Sequence, residues 1–244
     1  KERDPETGKE VPTVGGAMRF FFSVFGEMIF STFNAAPIHI ILAKDGGIQY
    51  RQDVFPSYKA KREAAKKELV KDLEFNNLIE FKEKLERILV YAGALAIKVP
   101  GVEADDIVGW VCQNLEGCKW VYTNDHDLLA LNNIPGVSTV MKGKIYDDST
   151  YICKGLDRPF DLKYMTLFKS LIGDTSDEYG GVPQFGPAKW NDIVNVAGNS
   201  GLDELQKAIT TRNYTALQQV VESPAVPKAL AKAIGIIMNH TVTW

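Results

Sequence analysis

The 244-residue chain is 45% hydrophobic and 24% charged, an ordinary globular composition, long enough for one large domain or two small ones. Its net charge of −3 excludes a histone-like polycation but leaves room for a local basic face. Cys112, Cys118 and Cys153 show no CxxC spacing, which argues against a zinc cluster or disulfide framework and for a reducing compartment. The opening residues, KERDPETGKE, are polar and charged, unlike a secretory signal. Without an initiator methionine they read as a loop from the middle of a longer protein, so an N-terminal truncation is expected.

The apolar run at 18–33, broken by Arg19, Ser23, Gly26 and Glu27, predicts a buried helix and is too interrupted for a bilayer span. After Pro37, IHIILA at 38–43 predicts a short buried strand that closes in KDGG, so Asp45 stands at its exit. The Lys-, Glu- and Leu-rich stretch at 60–90 has helical period and predicts one or two charged helices. ALAIKV at 94–99 is a second strand, and GVEADD at 101–106 opens a helix through about Asn114. KWVYT at 119–123 is a third strand running into NDHD, and STVMKGKIYDD at 138–148 resembles a hairpin. From Asp161 onward the pattern is helical, with one Gly/Pro-rich turn, GGVPQFGP, at 180–187. Alternating strands and helices predict an α/β fold with a mostly parallel sheet and a helical C-terminal third beside it.

Acids recur at strand exits. Asp45 follows one strand, Glu103, Asp105 and Asp106 a second, Asp125 and Asp127 a third. In open parallel sheets ligands bind beyond the carboxyl ends of the strands, so all three groups are expected to face one crevice. Glu103 and Asp106 share a helix face, Asp125 and Asp127 one side of an extended segment, and Asp174 and Asp177 are again helically spaced. Taken singly, such acids serve as first-turn charges or caps. Eight near one point cannot all stay ionised without cations, and oxygen ligands in that number select Mg²⁺ or Mn²⁺. Two such ions could activate a water and stabilise the leaving oxygen of a phosphodiester.

FPSYKAKR at 55–62 puts Tyr58, Lys59 and Arg62 before the charged helices, where cations could hold phosphate oxygens and the ring could stack on an unpaired base. An exposed amphipathic face is the commoner meaning of such a run. A helix beginning near Pro187 could offer its free N–H groups, with Lys189, to one phosphate of a duplex; an ordinary interhelical turn is the alternative.

GVEADD, TNDHDLL, LIGDTSDEYGGVPQFGPAK and FPSYKAKR together resemble the 5′ nuclease superfamily. Its members are flap endonucleases, bacteriophage 5′-3′ exonucleases and the 5′ nuclease domain of bacterial DNA polymerase I. The resemblance covers about 12–232 and is nearest to the phage and bacterial branch. It implies a PIN-like α/β nuclease core at 1–160 with a helical arch at about 56–90, and a helical C-terminal region at 161–244 with a helix–hairpin–helix element. It implies a two-metal, structure-dependent nuclease that acts at or near 5′ ends of DNA, with two Mg²⁺ ions for which Mn²⁺ can substitute. Asp45, Glu103, Asp105 and Asp106 correspond to the first-metal group, and Asp125, Asp127, Asp174 and Asp177 to the second. Lys59 corresponds to the arch lysine on the scissile phosphate, with Arg62 and Arg51 as basic partners and Tyr58 as the aromatic at the arch base. Gln184, Gly186 and Lys189 fall in the duplex-gripping turn, where main-chain carbonyls of Leu171, Ile172, Gly180, Val182 and Phe185 correspond to a K⁺ site.

The resemblance further implies DNA with 5′ ends, flaps or junctions as partner, no membrane, a monomer, and the cytoplasm of a bacterial or phage-infected cell. The chain departs from the family pattern in four places, one being a loop after Asp45 that is one residue shorter than usual. No first strand carrying an Asp ligand is present, Gln184 stands for a hairpin Gly, and Glu178 stands for a common Asn. A DNA-junction-binding module that does not cut, and a PIN-like ribonuclease, are the alternative functions.

Overall fold

The computed structural model describes residues 2–3, 5, 7–11, 13–33, 39–68, 73–147, 149–175, 177–211, 213 and 215. Pro37, Ile38, the 69–72 part of the expected arch and the C-terminal end of the resemblance, from 216, lie outside them. The chain divides into two compact units, Lys1–Tyr50 with Lys59–Val108, and Arg51–Tyr58 with Gly109–Trp244.

In the first unit, the expected N-terminal loop contains a small antiparallel pair, β1 (Glu2–Arg3) and β2 (Glu10–Val11), turned through Gly8 at φ 69°. Helix α1 (Val14–Phe33) begins four residues before the apolar run. Thr13 explains the early start: its Oγ1 accepts from Gly16 N at 3.2 Å, satisfying a first-turn donor despite two glycines there. Strand β3 (Ile41–Lys44) pairs in parallel with β4 (Leu95–Lys98), Ile41 opposite Leu95. Between them the charged stretch forms helices α3 (Ala60–Glu68) and α4 (Leu73–Tyr91). Helix α4 packs on α1, with Phe21 and Phe81 edge to face at 6.1 Å. Two further helices, α2 (Gln49–Val54) and α5 (Ala104–Asn114), follow β3 and β4 respectively, each beginning in the first unit and ending in the second.

The second unit holds β5 (Lys119–Tyr122), parallel to β6 (Val137–Met141), which pairs antiparallel with β7 (Lys144–Tyr146). A 3₁₀ segment, His126–Asn133, connects β5 to β6. Before the expected helical region a second antiparallel pair appears, β8 (Thr150–Tyr151) with β9 (Phe160–Asp161). Helices α6 (Met165–Ile172) and α7 (Pro187–Thr210) follow. The pairs β3–β4 and β5–β6 are parallel, but among the described residues they lie in separate sheets rather than in one central sheet.

The core of this unit is aromatic. Phe160, Phe168 and Trp190 meet with centroids 4.8–5.1 Å apart, and Leu162, Tyr164, Ile193 and Leu202 are fully enclosed around them. Their burial is the main stabilising contribution here, about 1.5–3 kcal/mol per large side chain. Helix α7 kinks at Gly198, whose φ of 59° lies in the left-handed region. In the last turn before the kink, Arg158 donates to Val194 O at 2.9 Å, a cation on the negative end of a helical segment. Just past it, the Tyr164 hydroxyl shares its proton between Asn199 O at 2.8 Å and Asp203 Oδ1 at 3.0 Å. Asn191 ties the 155–157 loop to α7, accepting from Asp157 N and donating to Gly155 O. Among the described residues no helix is long and apolar enough to cross a membrane.

Candidate active site

In the first unit two strand exits are clamped together. Gly46 N donates to Val102 O at 2.8 Å, and Gly101 N donates to Gly46 O at 2.9 Å. A Cβ at Gly46 would lie 1.7 Å from Val99 O, so only glycine permits this approach. The clamp sets Asp45, one residue past β3, against the start of α5, where its Oδ1 accepts from Ala104 N at 3.0 Å. Asp105 and Asp106 occupy the first turn of the same helix, where carboxylates are favoured by the helix dipole.

Glu103, just before that turn, is buried at 8% exposure. Lys59 Nζ lies 2.7 Å from its Oε1, and the two side chains are only 12% and 10% exposed. A buried carboxylate of this kind is tolerable only with a cation beside it. Lys59 has φ 51°, an uncommon conformation for a residue with a side chain, and its carbonyl accepts from Glu63 N at the start of α3. Arg62 is exposed on α3.

In the second unit Asp125 and Asp127 frame the exit of β5. Asp127 N donates to Asp125 Oδ1 at 2.9 Å, so Asp125 caps the 3₁₀ segment. The ammonium of Lys169, on α6, lies 2.8 Å from Asp127 Oδ1 and 2.7 Å from Asp174 Oδ2. Burial works to lower the Lys169 pKa, but the hydrogen bonds to Asp127 and Asp174 outweigh it and hold the pKa above the ordinary lysine value. Lys169 was not among the candidates that the sequence suggests.

The loop after α6 is closed by two glycines. Gly173 and Gly181, at φ 88° and 61°, lie back to back; a Cβ on Gly173 would sit 2.6 Å from Gly181 N, and one on Gly181 2.4 Å from Gly173 N. Above this pinch Asp174 and Tyr179 exchange main-chain hydrogen bonds at 2.7 and 2.9 Å. The loop thereby presents Asp174 and Asp177. Asp177 Oδ2 accepts from the Tyr58 hydroxyl at 3.2 Å. Tyr58, expected as a base-stacking ring, is enclosed at 7% exposure, with the Arg51 guanidinium 5.5 Å from its ring centroid.

The Gly/Pro turn leads into α7 as its composition predicts, with Gly186 at the cap and Pro187 first in the helix. Lys189 is half-buried and Gln184 exposed. Gln184 and Glu178 have φ 62° and 61°, the left-handed region where the family pattern has Gly and Asn. Of the expected K⁺ carbonyls, Leu171 O accepts from Val182 N and Val182 O from Phe185 N; Ile172 is half-buried and Gly180 exposed.

Among the described residues no group of three or more His, Cys, Asp or Glu stands together as a metal cage. Within each unit lysine ammoniums sit on the acids, Lys59 on Glu103 and Lys169 on Asp127 and Asp174. The donor set still fits a hard divalent ion, because it is built of carboxylate oxygens and already accommodates positive charge.

The model of the family described as "5'-3' exonuclease, N-terminal resolvase-like domain" matches residues 6–154. A 5′-3′ exonuclease of Bacillus subtilis is 32% identical over 158 residues, which is 62% of this chain and 49% of that protein. One from Mycoplasma pneumoniae is 29% identical over 178 residues, 66% of this chain and 56% of that protein. The chain thus spans about half the length of the curated relatives it matches. Among solved structures, a bacteriophage T5 protein co-crystallised with metal ions aligns at TM-score 0.56 and 19% identity, covering 93% of this chain and 96% of that one. A bacteriophage T5 flap endonuclease in complex with DNA and metal ions aligns at TM-score 0.55 and 20% identity, covering 94% and 98%. The fold is therefore the mixed helix and sheet fold of the T5 proteins, and the chain belongs to the 5′-3′ exonuclease N-terminal resolvase-like family, in the phage and bacterial branch of the 5′ nuclease superfamily.

Proposed function

We propose that this chain is the nuclease part of a structure-dependent 5′ nuclease that hydrolyses DNA phosphodiester bonds at or near 5′ ends, as a 5′-3′ exonuclease and flap endonuclease. The match of the 5′-3′ exonuclease family model over residues 6–154 carries the reading. The bound metals and DNA of the T5 structures support it. Two Mg²⁺ ions, replaceable by Mn²⁺, would supply an activated water and neutralise the leaving oxygen. Asp45, Glu103, Asp105 and Asp106 would hold one, and Asp125, Asp127, Asp174 and Asp177 the other.

The chain's own side chains do the rest. Lys59 and Arg62 place positive charge on the scissile phosphate, Arg51 steadies the strand entering the site, and the enclosed Tyr58 holds Asp177 in place. The 180–189 turn, with Gln184, Gly186 and Lys189, grips duplex backbone as a helix–hairpin–helix. The carbonyls of Leu171, Ile172, Gly180, Val182 and Phe185 offer a K⁺ site there. The nuclease core then runs over 1–160 and the duplex-gripping region over 161–244. The protein acts as a cytoplasmic monomer on DNA with 5′ ends, flaps or junctions.

The test is cleavage of 5′-labelled flap and nicked duplexes by the full-length protein in Mg²⁺ and in Mn²⁺, with binding measured on the same substrates. Short 5′ products confirm the assignment. Tight binding with no cleavage in either metal overturns it in favour of a junction-binding module.

A further inference from the structure

Lys169 bridges two carboxylates that come from different parts of the chain, Asp127 after β5 and Asp174 after α6. Its Nζ is 2.8 Å from one and 2.7 Å from the other, so a single positive charge sits between two oxygen donors. The lysine side chain is 31% exposed, that of Asp174 20% and that of Asp127 45%, so the Lys169–Asp174 contact is the better screened from water and the stronger of the two. Position and chemistry are those of a cation shared by two carboxylates, with an ammonium in place of a metal.

We propose that Lys169 is a built-in surrogate cation: its ammonium holds Asp127 and Asp174 together in the metal-free protein and must leave them for a divalent ion to bind. The inference rests on the proposed metal-dependent nuclease reading. It goes beyond that reading in giving Lys169 a definite task, to set the affinity of the Asp127–Asp174 pair and to keep the metal-free pair from repelling itself apart. Two cations that exclude each other from one pair of carboxylates are coupled ligands, so removing the resident one strengthens binding of the other. The released ammonium is then free to meet another anion.

The test is Mn²⁺ titration of the full chain, followed by electron paramagnetic resonance, for the wild type, Lys169→Met and Lys169→Gln, with thermal melts with and without Mn²⁺. Both variants are expected to bind Mn²⁺ about tenfold more tightly at one site. Both should melt at lower temperature than the wild type without metal, and the gap should close when Mn²⁺ is added. In the wild type, acylation of Lys169 followed by mass spectrometry should rise on Mn²⁺ addition while exposed Lys84 stays constant, a readout that needs no variant. Unchanged or weaker Mn²⁺ affinity in the variants, or unchanged labelling of a wild type that binds Mn²⁺, overturns the surrogate role alone. No Mn²⁺ bound by any of the three proteins overturns the metal reading itself, and the inference with it.

Discussion

Asp45 reaches across a glycine clamp to hold the first N–H of helix α5: its Oδ1 accepts from Ala104 N at 3.0 Å. This carboxylate caps a helix, and in the proposed reading its second oxygen is offered to a metal. Asp45→Asn keeps the acceptor and loses the charge; Asp45→Ala loses both. Asp45→Ala is expected to cost about 1 kcal/mol in urea unfolding, as lost caps do, and Asp45→Asn much less. Both should weaken Mn²⁺ binding. Equal stability of the two variants would show that the cap contributes nothing.

The pinch between Gly173 and Gly181 leaves no room for a methyl group on either residue. Gly173→Ala and Gly181→Ala should each destabilise by about 1–3 kcal/mol and displace Asp174. Gly180→Ala, where a Cβ would meet nothing within 4 Å, is the control and should be nearly neutral. Chemical denaturation of the three variants decides the matter, and a neutral Gly173→Ala would mean that the loop relaxes easily.

Arg158 donates to Val194 O just before the kink at Gly198. Arg158→Ala should lower stability by about 1 kcal/mol, through one charged hydrogen bond and one favourable charge at a helix end. Arg158→Gln, which can still donate, should recover part of the loss. A urea midpoint for Arg158→Ala equal to the wild type would show that the contact is ornamental.

Lys59 sits on Glu103 in a conformation that few side-chain-bearing residues adopt. If it acts on the reacting phosphate, Lys59→Ala lowers turnover far more than DNA affinity. Equal losses in both would make it a phosphate anchor only. Replacing Asp174 and Asp177 together by Asn should abolish cutting while DNA binding survives, and retained cutting would sink their assignment to a metal.

The hydrogen bond from Lys163, joined by one from Tyr164, holds the Asp203 carboxyl below its ordinary pKa. A carboxylate with a depressed folded-state pKa stabilises the fold above its ordinary value, and the effect fades as pH falls through the folded value. Asp203→Asn should therefore lower the melting temperature at neutral pH, only slightly because the pair is exposed, and converge with the wild type in acid, so that the acid limb is flatter. Parallel acid limbs in the two proteins would refute this.

What could be seen in the sequence was what local chemistry specifies. Helix α7 begins at Pro187 and α5 fills Ala104–Asn114, as a helix-starting proline and first-turn acids indicate. Strands β4 and β5 fall within a residue or two of their apolar runs. Helix α1 starts earlier than expected because Gly15 and Gly16 mask a helix that Thr13 caps. The 3₁₀ segment His126–Asn133 was invisible because its apolar residues are too few to show a period. At the site, strand exits and turns located the acids. Lys59 stood out but its pairing with Glu103, across 44 positions, could not be read, and Lys169, a lone cation in the apolar helix α6, gave no sign of the acids it meets.

Residues 51–58 belong to the second unit although the chain on either side belongs to the first. Tyr58 finds Asp177 119 positions away. A cut after 108 keeps the first unit whole but with 51–58 left inside it, and a cut before 51 keeps the second whole but with 59–108 inside it, so no single cut separates the two cleanly. Closing so wide a loop is entropically costly, so this contact should form late and slowly during folding. A protease nick between positions 50 and 58 would leave Tyr58 and Asp177 on one chain and spare every described strand, yet it would sever the eight-residue thread that joins the two segments of the first unit.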